Sequence, residues 1–289
     1  MPLDISMIGL AGPGVSETLE DRWLMNYAAS VGDENPVYLD NRGGKLLPAH
    51  PAYLSHLEWE AIVGLHECLE MLLPEERDRG VHSYNDTEII RPLRSGDKIS
   101  CVASVESVFE HPAGACLGIR VNTRDGNQEL VASSLTQIIY RGVPLASKAE
   151  GPAPVEYLEK HTFSEQPDRS EKIVLSPIAA HVFSECARDY NPIHTDIAVA
   201  ESIDLPGLIL HGTGTFALVV SSLVNHEAKG HPQQVQRFVG RLAAMVLCPS
   251  EVTLNVYAAK NQPSHFRFEL LTDANKPAIS SGYFALAEH

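Results

Sequence analysis

The residues best placed to move a proton lie in the stretch RDYNPIHTD at 188–196, where Asp189, Asn191 and His194 fall close together. In an unbroken α-helix the five steps from Asp189 to His194 turn the chain through well over one revolution, so the two side chains would diverge. Pro192 forbids that helix: it disfavours α geometry at Asn191 and ends the helix there. The chain can then fold back and bring a carboxylate and an imidazole onto one small molecule, with the Asn191 amide between them able to donate and accept. Such a pair is a general acid–base device, worth roughly 10²–10⁴ in rate. Taken alone, an Asn-Pro-x-His run is more often a capped turn around a satisfied loop histidine than a catalytic site.

A second element follows at His211-Gly212, which opens the apolar run LPGLILHGTGTFALVVSSLV at 205–224. A glycine at a helix start presents an N–H with no acceptor inside its own helix, at the positive end of the dipole. It also lets a carbonyl oxygen approach closely. That is an oxyanion site, worth about 3–4 kcal/mol when the donor is well placed. His211 reads as structural, because the Gly212 backbone can act unaided. The run is apolar enough to raise the question of a membrane span. Its histidine, threonines and glycines favour a buried core helix after a glycine-rich turn.

The elements that must position these groups come in two similar sets. GDENPVYLD at 32–40 repeats the Asp-x-Asn-Pro frame, with Asp33, Asn35 and, in place of the imidazole, Tyr38. A phenol, with a pKa near 10, cannot replace an imidazole near neutrality. His50 is followed by Pro51, which has no N–H, where the other half has Gly212. Each frame is preceded by a helical stretch, DRWLMNYAASVG (21–32) and SPIAAHVFSECARD (176–189). Each is followed by a Leu-Pro, a His, a further helix and strand-like segments: TEIIRPL, KISCVASVESV, CLGIRVNT and ELVASSLTQIIY in one half, RFVGRLAAMVL, EVTLNVYAA, HFRFELLT and AISSGYFALA in the other. DGN at 125–127 and DAN at 273–275 mark turns. Between the halves LASKAEGPAPVEYLEKHTFSEQPDRSEK reads as a linker. The expected division is 1–150 and 151–289, each an antiparallel sheet covered by one long helix, an α+β fold.

DYNPIH followed by LILHGTGTFA resembles the hydratase motif of the MaoC-like (R)-specific enoyl-CoA hydratase/dehydratase family, and the resemblance extends over nearly the whole chain as the two-repeat, double hot-dog form. It implies a sheet wrapped around a long central helix in each repeat, and reversible hydration of a trans-2-enoyl-CoA to a 3-hydroxyacyl-CoA. In that chemistry the thioester carbonyl rests on Gly212, Asp189 and His194 activate a water, and Asn191 orients it. No cofactor is implied, since coenzyme A is part of the substrate, and no metal. The implied partners are an acyl-CoA or acyl-carrier thioester and a second copy in a homodimer. The first repeat, degenerate at Tyr38 and Pro51, is implied to make room for the acyl chain. One departure is Arg188, where glycine usually precedes the Asp; it leaves the catalytic trio intact and alters the pocket mouth.

Composition narrows the alternatives. A net charge of −15 argues against nucleic-acid and anionic-membrane partners. Five scattered cysteines, Cys68, Cys101, Cys116, Cys186 and Cys248, without a CxxC pair, fit reduced thiols. With neither a secretory leader nor a C-terminal address in the sequence, the expected location is cytoplasmic. Competing readings are a hot-dog acyl-CoA thioesterase, a non-catalytic acyl-CoA binding module, and metal-dependent hydrolysis through Asp189, His194, Asp196 and His211, the last disfavoured by the lack of ligand spacing such as HExxH.

Overall fold

The computed structural model describes residues 3–146 and 148–287. Its helices are α1 (Asp21–Ser30), α2 (Pro36–Leu39), α3 (Ser55–Cys68), α4 (Pro74–Arg77), α5 (Ala179–Ala187), α6 (Ile197–Ser202) and α7 (Gly212–His226). Its strands are β1 (Val15–Thr18), β2 (Gly80–Ile89), β3 (Lys98–His111), β4 (Gly114–Asp125), β5 (Leu130–Arg141), β6 (Arg169–Leu175), β7 (Val235–Leu242), β8 (Ser250–Ala258), β9 (His265–Leu271) and β10 (Pro277–Leu286). None of the described helices is long and apolar enough to cross a membrane.

The chain forms two compact units. The first comprises Met1–Glu17, Leu57–Ile90 and Lys98–Glu156. Its strands run in the order β1-β3-β4-β5-β2. The β3–β4 and β4–β5 pairs are antiparallel hairpins, the second closed at the expected DGN turn. Leu57, Ala61, Ile62 and Leu65 give α3 one buried apolar stripe at helical spacing. The segment before β1 crosses this helix so closely that a β-carbon at Gly12 would lie 2.7 Å from the Leu65 backbone. One buried chain of polar groups interrupts this core: Asn85 Nδ2 donates to Thr87 Oγ1 (2.9 Å), Thr87 and Ser134 hydroxyls meet at 3.0 Å, and Ser134 Oγ donates to Glu58 Oε1 (2.6 Å). Burial pushes the Glu58 carboxyl up to about 7, against the lowering effect of the Ser134 bond.

The second unit comprises Thr18–His56, Arg91–Asp97 and Tyr157–His289. Its sheet runs β7-β10-β9-β8-β6, with antiparallel pairs throughout. The apolar run at 205–224 does become a glycine-rich turn and then a core helix: every residue of α7 from Gly214 to Val224 is buried. Gly240 on β7 allows this close packing, since a β-carbon there would stand 3.1 Å from the Phe216 ring of α7 and 2.7 Å from Ile279.

The compact units are not the two sequence halves divided at 150. Residues 18–56 pack with the C-terminal half, because α1 lies on α5, where the Tyr27 and Phe183 rings meet edge-on at 5.8 Å. Three elements also differ from expectation. β2 begins at Gly80, well before TEIIRPL. β6 occupies the end of the expected linker, its exposed residues Ser170, Lys172 and Val174 alternating with half-buried Arg169, Glu171 and Ile173 along an edge strand. The helix after Pro51 starts only at Ser55, residues 51–54 forming turns.

Candidate active site

Asp189, Asn191, His194 and Gly212 all belong to the second unit, and local geometry explains where each one stands. α5 stops because Arg188 takes the left-handed conformation, φ 56° and ψ 35°. Asp189 N–H then bonds the Ser184 carbonyl (3.1 Å), and Ser184 Oγ donates back to the Asp189 carbonyl (2.5 Å). As the proline predicts, Asn191 is extended, φ −64° and ψ 117°. Its Oδ1 accepts from Ile193 N–H (3.3 Å), and Pro192–His194 form one 3₁₀ turn.

His194 is buried, and its Nδ1 lies 2.9 Å from the Ile209 carbonyl. A carbonyl can only accept, so Nδ1 carries the proton and Nε2 keeps its lone pair in the neutral ring. His211 is the N-cap residue of α7. Its Nε2–H donates to the Asp189 carbonyl (3.1 Å), and its ring stacks on that of His194 at 3.7 Å and 27°. One imidazole thus ties the Asp189 backbone, the His194 ring and the start of the Gly212 helix together. His211 was legible as structural; that it connects all three elements was not. Thr215 closes the first turn of α7, its N–H and hydroxyl both donating to the His211 carbonyl (2.8 and 3.0 Å).

The electrostatics suit proton transfer. Burial raises the Asp189 carboxyl to about 6, opposed by the Asn191 N–H that it accepts. Burial lowers His194, opposed by its bond to Ile209. His211 is lowered to about 3 by burial and then by His194, which keeps the stacked pair neutral. Asp196 is engaged elsewhere: its Oδ1 caps α6, accepting from Ala198 N–H (2.9 Å) and Val199 N–H (3.2 Å). No group of three His, Cys, Asp or Glu among the described residues is arranged to hold a metal.

The first frame folds into a similar turn, with the short helix α2 where the second has its 3₁₀ turn. Gly32, φ 71°, occupies the left-handed position, Asn35 is extended at φ −60° and ψ 120°, and its Oδ1 accepts from Val37 N–H (3.0 Å). The groups that the second frame offers are not repeated here. Tyr38 is fully buried, its hydroxyl has no partner among the described residues, and burial followed by the Asp33 charge pushes its pKa well up. Pro51 supplies no N–H, and the next donor, Ala52 N–H, is taken by His50 Nδ1 (3.1 Å).

Arg188 holds the left-handed position without glycine's freedom, a conformation costing roughly 1–2 kcal/mol for an L-residue. Its guanidinium sits 4.7 Å from the Trp23 ring centre, and Nη2 donates to His56 Nε2 (2.8 Å) and to the Tyr53 hydroxyl (3.3 Å). These partners come from far along the sequence, and no local signal marked them.

Residues 159–271 match the MaoC like domain, and residues 6–132 match the dehydratase domain region of the FAS1-like family. A UPF0336 protein of Streptomyces griseus is 26% identical over 147 residues, which is 49% of this chain and 97% of that protein. Peroxisomal enoyl-CoA hydratase 2 of Arabidopsis thaliana is 27% identical over 187 residues, covering 60% of this chain and 58% of that one. The crystal structure of a MaoC-like dehydratase from Phytophthora capsici superposes with a TM-score of 0.84 at 19% identity, over 99% of this chain and 100% of its own. The chain therefore carries a MaoC like domain in its C-terminal half and a FAS1-like dehydratase region in its N-terminal half, on a double hot-dog fold.

Proposed function

We propose that the protein reversibly adds water to a trans-2-enoyl thioester, of coenzyme A or of an acyl carrier, to give the 3-hydroxyacyl thioester. The observation that carries this reading is the His194 ring: its Nδ1–H is committed to the Ile209 carbonyl, it is neutral, and it stacks on the residue that opens the Gly212 helix. Its Nε2 lone pair and the Asp189 carboxylate hold one water. As the water oxygen bonds to C3, a proton leaves it for this pair. The C2–C3 π electrons move toward the thioester, and the resulting enolate oxygen is held by the Gly212 N–H. The proton then passes to C2, so nothing is oxidised or reduced. Asn191 fixes the turn and donates its N–H to Asp189. The similarity to an enoyl-CoA hydratase 2 supports the same reaction class.

The N-terminal half, residues 1–150, belongs to this reading as the region that accommodates the acyl chain, its own frame being disabled at Tyr38, Pro51 and Ala52. The test is turnover of enoyl-CoA esters of graded length and branching, with products separated as hydroxyacyl thioester or free thiol. Hydration by the parent, with His194→Ala and Asp189→Asn each at least about 10²-fold slower, supports the reading. Release of free thiol alone would make the protein a thioesterase, and binding without turnover would make it an acyl-CoA binding module.

A further inference from the structure

The first frame has lost its chemistry but not its hydrogen bonds, and these converge on α7. Asn225, in the last turn of α7, donates from Nδ2 to Asp33 Oδ1 (3.0 Å) and accepts at Oδ1 from Asn35 Nδ2 (2.9 Å). Asn35 Nδ2 also reaches the Gly230 carbonyl beyond the helix (3.1 Å). Asp33 Oδ1 is itself fixed by Asn35 N–H (3.0 Å). One turn earlier, Ser221 Oγ meets His50 Nε2 at 3.0 Å; because His50 Nδ1 accepts from Ala52 N–H, Nε2 is the protonated nitrogen and donates. The other end of α7 is tied to the second frame, through His211 and the Asp189 carbonyl. The helix is strung between the two Asp-x-Asn-Pro turns, with all of these residues in the second unit.

Most of the α7 surface between its ends is apolar and buried. Apolar packing is non-directional and opposes a small slide along the helix axis less sharply than directional bonds do. From Gly212 to Asn225 the helix rises about 20 Å as a stiff rod, so a shift at one end appears at the other. An oxyanion donor works only when about 2.7–3.1 Å from the developing charge, and a misplacement near 1 Å costs about 10²-fold. We propose that Asp33, Asn35 and His50 are positioning residues that set the axial place of α7, and with it the Gly212 N–H, for the hydration proposed above. The duplicated frame is then retained because one copy reacts and the other holds the reacting helix in register.

The experiment uses the full chain at a temperature where circular dichroism shows each variant folded. Asn225→Leu and Asp33→Leu remove the bonds. Each should lower kcat at least about tenfold while KM for a short enoyl thioester stays within about twofold, because the loss falls on the transition state. The double variant should be no worse than the worse single one. Asp33→Asn keeps the Oδ1 acceptor and should stay within about threefold of the parent, a rescue tied to the bond rather than to bulk. In protein labelled with ¹⁵N-glycine, the Gly212 amide resonance, identified by its disappearance in Gly212→Ala, should move in both Leu variants. A parent without turnover on any enoyl thioester, whose Gly212 resonance still moves in the Leu variants, would end the hydration reading and uphold the positioning. Folded Leu variants with an unmoved Gly212 resonance overturn the positioning, whether or not kcat falls. Should the Leu variants not fold, Asn35→Ser decides: it retains the N-cap oxygen but cannot reach Asn225 or Gly230. There, a moved resonance with kcat down about threefold or more upholds the proposal, and an unmoved resonance refutes it.

Discussion

The Asp189 carboxyl offers the sharpest test of the proposed chemistry, because one group should move two readouts in opposite directions. Burial raises it from 3.8 to about 6. If the ionised form takes the water proton, kcat/KM for hydration reports this titration in the free enzyme. The rate should stand at roughly half its plateau near pH 6 and about a tenth near pH 5, where an ordinary carboxylate would still be more than nine-tenths ionised. Hydration of an enoyl thioester consumes no net proton, so its equilibrium constant does not depend on pH between these limits. Dehydration must therefore show the same acid limb, and the reverse assay is an internal control. Stability runs the other way. A carboxyl whose pKa is raised on folding leaves the protein most stable below the unfolded value near 4, and that stability is lost as pH climbs through about 6. Asp189→Asn, which can still accept the Asn191 N–H, should lose at least about 10²-fold in kcat and gain up to about 2–3 kcal/mol of stability at pH 8. Stopped assays from pH 4.5 to 8, paired with urea melts at each pH, measure both. A limb centred near pH 4, or a rate that rises as pH falls, would show that the ionised Asp189 is not the acceptor. An Asp189→Asn protein no more stable than the parent at pH 8 would show that burial does not strain this carboxyl.

Three further outcomes follow from particular contacts. Tyr38→Phe removes a buried hydroxyl with no partner among the described residues, so it should raise stability by about 1 kcal/mol while turnover on a short substrate stays within about twofold; a drop in turnover would return Tyr38 to the chemistry. Arg188→Ala loses the Trp23, Tyr53 and His56 contacts and keeps the left-handed strain, for a loss of about 1–3 kcal/mol in chemical denaturation, of which Arg188→Gly should recover about 1. Equal stability of the two variants would contradict the strain. Glu58, raised from 4.5 to about 7, should weaken the fold as pH rises between those values, and Glu58→Gln should abolish that part of the pH dependence, a difference of up to roughly 3 kcal/mol at pH 8; parallel parent and variant profiles from pH 5 to 8 would refute it.

What the sequence disclosed, it disclosed through backbone chemistry. Pro192 and Pro36 alone require an extended residue before them, and both Asn-Pro turns have that geometry. The apolar run after His211 allows little but a buried helix, and α7 is one. β6 was hidden because an edge strand needs only partial burial, so its RSEK residues read as linker. The mixing of the two halves was hidden for a different reason. Nothing local in DRWLMNYAAS says that its apolar face will meet Phe183 of α5 rather than a neighbour in its own half.

The site divides along the same line. Asp189, Asn191, His194 and Gly212 could be chosen because each has an intrinsic property, a titratable group, an amide that both donates and accepts, or a helix-opening N–H, that such chemistry uses. His211 has such a property too, yet its work is relational: it joins the Asp189 carbonyl and the His194 ring, both distant in sequence, to the first turn of α7 that it caps, and only the folded structure brings them together. The first frame carries the lesson further. Its lost imidazole and lost amide proton are visible as Tyr38 and Pro51, and they invite the conclusion that the frame is idle. Asp33 and Asn35 were kept in the same frame, and neither needs to touch a substrate to matter: their acceptor and donor atoms meet Asn225 on α7. Sequence shows which groups cannot react; what the unreactive ones hold in place depends on where the other half of the hydrogen bond lies.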